Sequence, residues 1–267
     1  MDRRRIGGPP RRKRAPEMDF DAVLYGIHAV DEALAAGEPL VEVHLADDRK
    51  RDPLVRRILE RAKAANVAVR FQTREWFARL PYKAHQGAVA IAPPFEYASL
   101  HDVIAGHRSR RLLVVVLDHV TDPHNLGAII RTAECAGADA VVIPDRRAAG
   151  VNATVRKTAA GATEHLPIVR VGNIAEAIRQ LKKAGAWVAG ADADDVALEL
   201  TAADLSSDLV LVIGAEGEGL GQLVRRECDF LVKIPLLGKV ASLNASVAAA
   251  ILLYEAVRQG PTSQKAP

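Results

Sequence analysis

From about Phe20 onward, the chain alternates short apolar runs with stretches in which apolar residues recur every three or four positions. Alternating or continuous β-branched runs predict strands, and the 3.6-residue period predicts amphipathic helices. In the first part, VEVHLAD (41–47), NVAVRFQ (66–72) and QGAVAIAPP (86–94) predict strands, with helices over HAVDEALAAG (28–37) and DPLVRRILERAKAA (52–65). Gly37 reads as the C-terminal cap of the first helix, and Asp52-Pro53 as the cap and first turn of the second. On that second helix Leu54, Val55, Ile58, Leu59 and Ala62 share the core face, which leaves Arg56, Arg57, Arg61 and Lys63 outside. With Arg49, Lys50 and Arg51 these form a basic patch, which fits an ordinary solvated face as well as an RNA contact.

The paired prolines of APPFEYASLHDV (92–103) read as a linker. Beyond it a second series of strands is predicted at RLLVVVLD (111–118), AVVIP (140–144), HLPIVRV (165–171), AWVAGAD (186–192), DLVLVIG (208–214) and FLVKIPL (230–236). Helices fall between most of them, and the longest is the last, NASVAAAILLYEAVRQ (244–259). Continuous apolar strands separated by helices indicate an α/β fold with a parallel sheet covered on both faces. The predicted organisation is a tail over 1–19, a small domain over 20–93, a linker over 94–110, a larger domain over 111–260 and a short tail over 261–267.

Charge changes this picture at one end. Residues 1–17 carry seven Arg and Lys against Asp2 and Glu17, a net +5 in a chain of net +3, so the remainder is −2. An Arg-, Pro- and Gly-rich segment of this kind is predicted to be disordered, either gripping a polyanion through phosphate contacts or merely solubilising the chain. No apolar run approaches the ~20 residues that span a bilayer, and the N-terminus lacks the apolar centre of a signal peptide, so a cytoplasmic protein with no membrane partner is expected. Cys135 and Cys228 stand far apart without C-x-x-C spacing. Two small buried hydrophobes in a reducing compartment are expected, with no metal.

Ligands of open parallel sheets bind at the carboxyl ends of the strands. Three loops there hold polar candidates. LDHVTDPHNLGAIIRTAECAG (117–137) carries Asn125, a candidate helix cap, and Arg131, expected on the second turn of the following helix and suited to an anion or a surface salt bridge. IGAEGEGL (213–220) is glycine-rich but acidic, with Glu216 and Glu218 where a phosphate would be repelled. IPLLGKVASLNAS (234–246) places Ser242 and Asn244 at the start of the last helix, where capping is their default role. No G-x-G-x-x-G follows the first strand of this series, and no G-x-x-x-x-G-K-[ST] or G-x-S-x-G occurs. His119 and His124 belong to no recognisable metal set and read as hydrogen-bonding residues.

Together, DHVTDPHNLGAIIRTAECAGADAVVIP, LVIGAEGEGL and KIPLLGKVASLNASVAAAILLYEAVRQ resemble, in order and spacing, the three motifs of the SpoU (TrmH-type) branch of SPOUT RNA 2′-O-methyltransferases. The likeness covers 111–260 and extends to 20–93, which resembles the L30e-like substrate-binding domain found ahead of the catalytic domain in many members. Within the family, YGIHAV, DPHNLGA, GAEGEG and SLNASVA are most similar to the bacterial enzymes that methylate a 23S rRNA guanosine in the peptidyl-transferase P-loop; relatives modify tRNA or other rRNA sites. The resemblance implies a sheet whose C-terminal segment forms a trefoil knot, S-adenosylmethionine bent within it, and a homodimer. It assigns cofactor contacts to Gly214, Ile234 and Leu243, with Leu236 and Gly238 nearby. It assigns Arg131 as the catalytic arginine and Asn125, Glu216, Ser242 and Asn244 as its polar companions. An arginine with a pKa above ~12 is an awkward base, so its first expected role is electrostatic stabilisation of a developing oxyanion.

Overall fold

A computed structural model describes residues 23–80, 84–107, 111–194, 196–217, 219–240 and 242–260. The expected tails lie outside these residues, as does Glu218. The described chain separates into two units, dividing between Pro94 and Phe95.

The first unit runs β1 (Val23–Tyr25), α1 (Ile27–Ala35), β2 (Glu42–Ala46), α2 (Pro53–Ala64), β3 (Ala68–Gln72), α3 (Arg74–Phe77) and β4 (Ala88–Ile91). Its sheet has the order β1-β4-β2-β3, with β2 and β3 parallel and the other pairs antiparallel. Ile27, Val30 and Leu34 of α1 pack with Val55, Ile58 and Ala62 of α2 and with Val43 and Leu45 of β2. Leu54 and Leu59, expected on the core face, sit at its edge and are only partly buried. The Asp52 carboxylate accepts from the Leu54 amide at 2.9 Å, with Pro53 in the first helical position, as the sequence predicts. The basic face of α2 is not wholly free for a ligand. Arg57 and Arg61 both grip Asp31 of α1, at 2.5 and 2.6 Å, and the Asp31 side chain is only 7% exposed. The strand β1 and the short α3 were not foreseen, because three- and four-residue elements are too brief to show a period.

The second unit runs α4 (Leu100–Gly106), β5 (Leu113–Leu117), α5 (Pro123–Cys135), β6 (Ala140–Pro144), α6 (Ala153–Ala159), β7 (Ile168–Val171), α7 (Ile174–Lys183), β8 (Trp187–Ala191), β9 (Leu198–Glu199), β10 (Leu209–Ile213), α8 (Gln222–Glu227), β11 (Phe230–Lys233) and α9 (Ala245–Gln259). All seven strands are parallel, in the order β7-β6-β5-β10-β8-β11-β9. The central β5 shows why: Leu113, Val115 and Leu117 enter the core with α5, α6 and α9, while Val114 and Val116 enter the one with α7. Such a strand is apolar at every position because both faces are covered.

The expected linker over 94–110 is corrected by the structure. The Phe95 and Tyr97 side chains pack against the core of the second unit, Ala98 bridges Val169 of β7, and residues 100–106 form α4. The prolines end at Pro94, and Phe95 and Tyr97 after them are apolar enough to pack, partly buried, against that core.

Candidate functional site

The chain leaves β5 towards β6 and β7, then returns beyond β10 to add β8, β11 and β9. The β5–β10 pair is therefore the place where the strand order switches, and the loops following β5, β10, β8 and β11 meet beside it. This is where an open parallel sheet binds ligands.

After β10 the chain folds back on itself. A side chain at Gly214 would put its Cβ 2.3 Å from the Gly219 carbonyl carbon and oxygen, so only glycine allows this approach. Gly217 and Gly219 take left-handed φ of 78° and 68°, and the Gly219 amide donates to the Ala215 carbonyl at 3.0 Å. The glycines thus shape a closed turn that carries Glu216.

Glu216 ties the first and last motif segments together. Its Oε1 accepts from Asn125 Nδ2 at 3.1 Å, Asn244 Nδ2 at 2.5 Å and the Ala245 amide at 3.1 Å. Asn244 Nδ2 also donates to Asn125 Oδ1 at 2.9 Å. A carboxylate at the amino end of α9 is favoured by the helix dipole. Asn125 was a candidate cap for α5, but Asp122 takes that place, accepting from the His124 amide at 2.9 Å with Pro123 next in line. Asn125 is therefore inside the first turn, buried, with its amide free for the network. At the last helix Asn244 is the cap, accepting from the Ser246 and Val247 amides at 2.9 and 3.3 Å.

A cavity of about 310 Å³ opens beside this network. Gly214, Ile234, Leu236, Leu243, Glu216 and Ser242 all line it, together with Ile213, Val232 and Asp192. Of the expected cofactor residues, Gly238 does not line it. Asp192, just past β8, was missed. It is held by Arg225 (3.3 Å), which also pairs with Asp194 at 2.7 Å. The rule that sites gather at strand ends would have found it, since the run 186–192 ends on that residue. Behind this wall, burial and then the neighbouring Asp229 push the Cys228 thiol up to about 12.

A second cavity, about 550 Å³, shares Ala215, Glu216, Gly219 and Ala245 with the first. Asn125, His119, Asp122 and Arg147 line it. Arg131 lines neither cavity. It lies on the third turn of α5, not the second, and its side chain is exposed with no hydrogen bond or ion pair among the described residues. It is six positions on from Asn125, which turns it well round the helix. Among the described residues no group of three or more His, Cys, Asp or Glu is arranged to hold a metal.

Residues 112–254 match the SpoU rRNA Methylase family, and residues 23–98 match a domain described as RNA 2′-O ribose methyltransferase substrate binding. A protein of Staphylococcus haemolyticus named as a TrmH family tRNA/rRNA methyltransferase is 40% identical over 243 residues, covering 90% of this chain and 96% of its own. Among solved structures, an rRNA methyltransferase of Sinorhizobium meliloti with AdoMet bound is 28% identical, covers 88% of this chain and 86% of its own, and has a TM-score of 0.58. The TrmH/SpoU tRNA modifying enzyme of A. aeolicus is 28% identical over 60% of this chain and 80% of its own, with a TM-score of 0.52.

Proposed function

Because the chain belongs to the SpoU rRNA methylase family, we propose that it methylates a ribose 2′-hydroxyl in RNA from S-adenosylmethionine, its target being a guanosine in the P-loop of 23S rRNA. The observation that carries this reading is the 310 Å³ cavity, walled by the loops after β10, β8 and β11 and the start of α9. Its size falls in the range of small-molecule sites. Ile213, Val232, Ile234 and Leu243 offer apolar surface to an adenine ring, and Gly214 lets backbone approach it closely. Glu216 and Asp192 favour a cation, which suits the α-amino group and sulfonium of the methyl donor and disfavours a phosphate. When bound, the cofactor supplies an electrophilic methyl group. Asn125, Glu216, Ser242 and Asn244 organise the polar side of the site.

Arg131, which lines neither cavity, is assigned to the RNA backbone next to the site, as an electrostatic partner of its phosphate. The first unit, with the basic residues not spent on Asp31, serves as the RNA-binding module. A homodimer is part of the reading: Val247, Ile251, Tyr254 and Val257 leave an apolar stripe exposed along α9, and Tyr254 alone is 53% exposed. So is passage of the segment before α9 through a trefoil knot, in keeping with the tight fold at Gly214. The protein is taken to act in the cytoplasm.

Mapping ribose methylation across rRNA and tRNA in a strain lacking the gene tests the target. Loss at the 23S P-loop guanosine is expected. Loss at a tRNA position instead would favour the second reading, suggested by the tRNA-modifying relative, and would remove the rRNA assignment.

A further inference from the structure

Ala191, Asp192 and Ala193, where β8 runs into the loop before β9, wall one side of the first cavity. Two carboxylates shape that loop in the same way. Asp192 Oδ1 accepts from the Asp194 amide at 3.0 Å, and Asp194 Oδ1 accepts from the Val196 amide at 3.2 Å. Each closes a turn on the backbone two residues further along. The second oxygen of each meets the same guanidinium. Arg225 Nε lies 3.3 Å from Asp192 Oδ2, and Arg225 Nη2 lies 2.7 Å from Asp194 Oδ2. Two carboxylates so close repel one another, and a planar fork of N–H donors holds both at once where an ammonium would act as a single point.

The two ends of this clamp differ. The loop is exposed at Asp194 and Val196. Arg225 stands on α8, whose Val224 is buried in the core shared with α7. The Arg225 amide donates to the Gly221 carbonyl at 2.8 Å, and the Gly221 amide donates to Asp118 Oδ2 at 2.7 Å. The Asp118 side chain, directly after β5, is almost wholly buried. The guanidinium therefore ties an exposed loop to a helix anchored on the centre of the sheet. Arg225 itself lines neither cavity, so anything it does for a ligand passes through Asp192.

Building on the family reading above, we propose that Arg225 is a positioning residue for the methyl donor: by gripping both carboxylates it holds the wall over 191–193 in its donor-binding shape before the donor arrives. The donor then binds without having to order the loop, a cost that would otherwise be drawn from its binding energy. Arg225 thus sets the affinity for S-adenosylmethionine without touching it. The rate of transfer from the filled site does not depend on it.

The test uses the full chain, RNA from a strain lacking the gene, and labelled S-adenosylmethionine. In Arg225→Gln the donor Kd from calorimetry and the donor KM should both rise about 10-fold, the scale of re-ordering one or two freed side chains. Turnover at saturating donor and the KM for RNA should stay near wild type. Arg225→Lys keeps the charge and loses the fork, so its Kd should fall between the two. Without donor, the Asp194 and Val196 amides should exchange hydrogen faster in Arg225→Gln than in wild type, and saturating donor should restore their protection. Asp194→Asn keeps an acceptor for the Val196 amide and removes one arm of the clamp, so it should weaken the donor as well. The double variant should bind no more weakly than Arg225→Gln alone, because groups that act as one unit are not additive. If Arg225→Gln does not fold, Asp194→Asn carries the same test. Unchanged donor affinity, a fall in saturated turnover with Kd intact, or effects that add in the double variant would overturn the proposal while leaving the family reading standing. Wild-type protein that neither binds S-adenosylmethionine nor methylates any RNA would overturn both.

Discussion

Replacing Gly127 by alanine puts two opposing effects in direct competition. Gly127 is in the middle of α5, where alanine would ordinarily gain up to about 1 kcal/mol of helix propensity. Its Cβ, however, would lie 2.6 Å from Thr158 Cβ and 2.8 Å from the Val155 carbonyl oxygen, both on α6. Neither atom moves by a side-chain rotation. Restoring ordinary contact requires α5 and α6 to part by roughly half an ångström or more, against an interior packed like a crystal. Overpacking of this kind costs about 1–3 kcal/mol, so a net loss of about 1–2 kcal/mol is expected. For a unit of this size that is roughly 2–8 °C in melting temperature. Asn125 is two residues away and hydrogen-bonded to Glu216, so displacement of α5 should lower methyl transfer as well. Urea unfolding followed by Trp187 fluorescence measures the loss, since that residue begins β8. Gly106→Ala, at the end of α4 with open space around it, is the control and should be neutral or slightly stabilising. A Gly127→Ala protein as stable as wild type, and as active, would refute the packing argument.

Three further outcomes are expected. Asp31→Asn should destabilise the first unit by about 2 kcal/mol at pH 7, read from Trp76 fluorescence in urea, because it loosens a nearly covered carboxylate from two arginines. Hydrogen bonding from Arg57 holds the Asp31 carboxyl below its ordinary value; a depressed value stabilises above the unfolded pKa and is lost as pH falls through the folded one, so the gap between wild type and variant should narrow below about pH 4. Arg111→Ala should cost about 2 kcal/mol in thermal unfolding, since its guanidinium donates to the carbonyls of Leu205, Ser207 and Ala256 and so anchors the end of α9. With a thiol-reactive dye at pH 8, exposed Cys135 should label quickly and Cys228, with its thiol near 12, should resist until the protein unfolds; two fast-reacting thiols would contradict this.

Much of the catalytic half was legible because its strands are continuous β-branched runs, and AVVIP was placed on β6 residue for residue. Elements too short for a period, such as β1 and α3, were not visible. The stretch beginning at Phe95 was misread because its prolines outweighed the apolar residues that follow them. At the site, the glycine loop and the start of α9 stand out because their residues are contiguous, and both line the first cavity. Asp192 does not stand out: nothing in one dimension shows which strand ends share a cavity. Arg131 shows the reverse, a residue that the motif marks and that the fold of a single chain holds away from both cavities.

The most direct test of the account is transfer of labelled methyl from S-adenosylmethionine to RNA by the purified protein, followed by digestion to nucleosides. The label should appear in a 2′-O-methylated nucleoside and should fall sharply in Glu216→Ala, which removes the acceptor shared by Asn125, Asn244 and the Ala245 amide. Label on a base, or no transfer to any RNA, would contradict it.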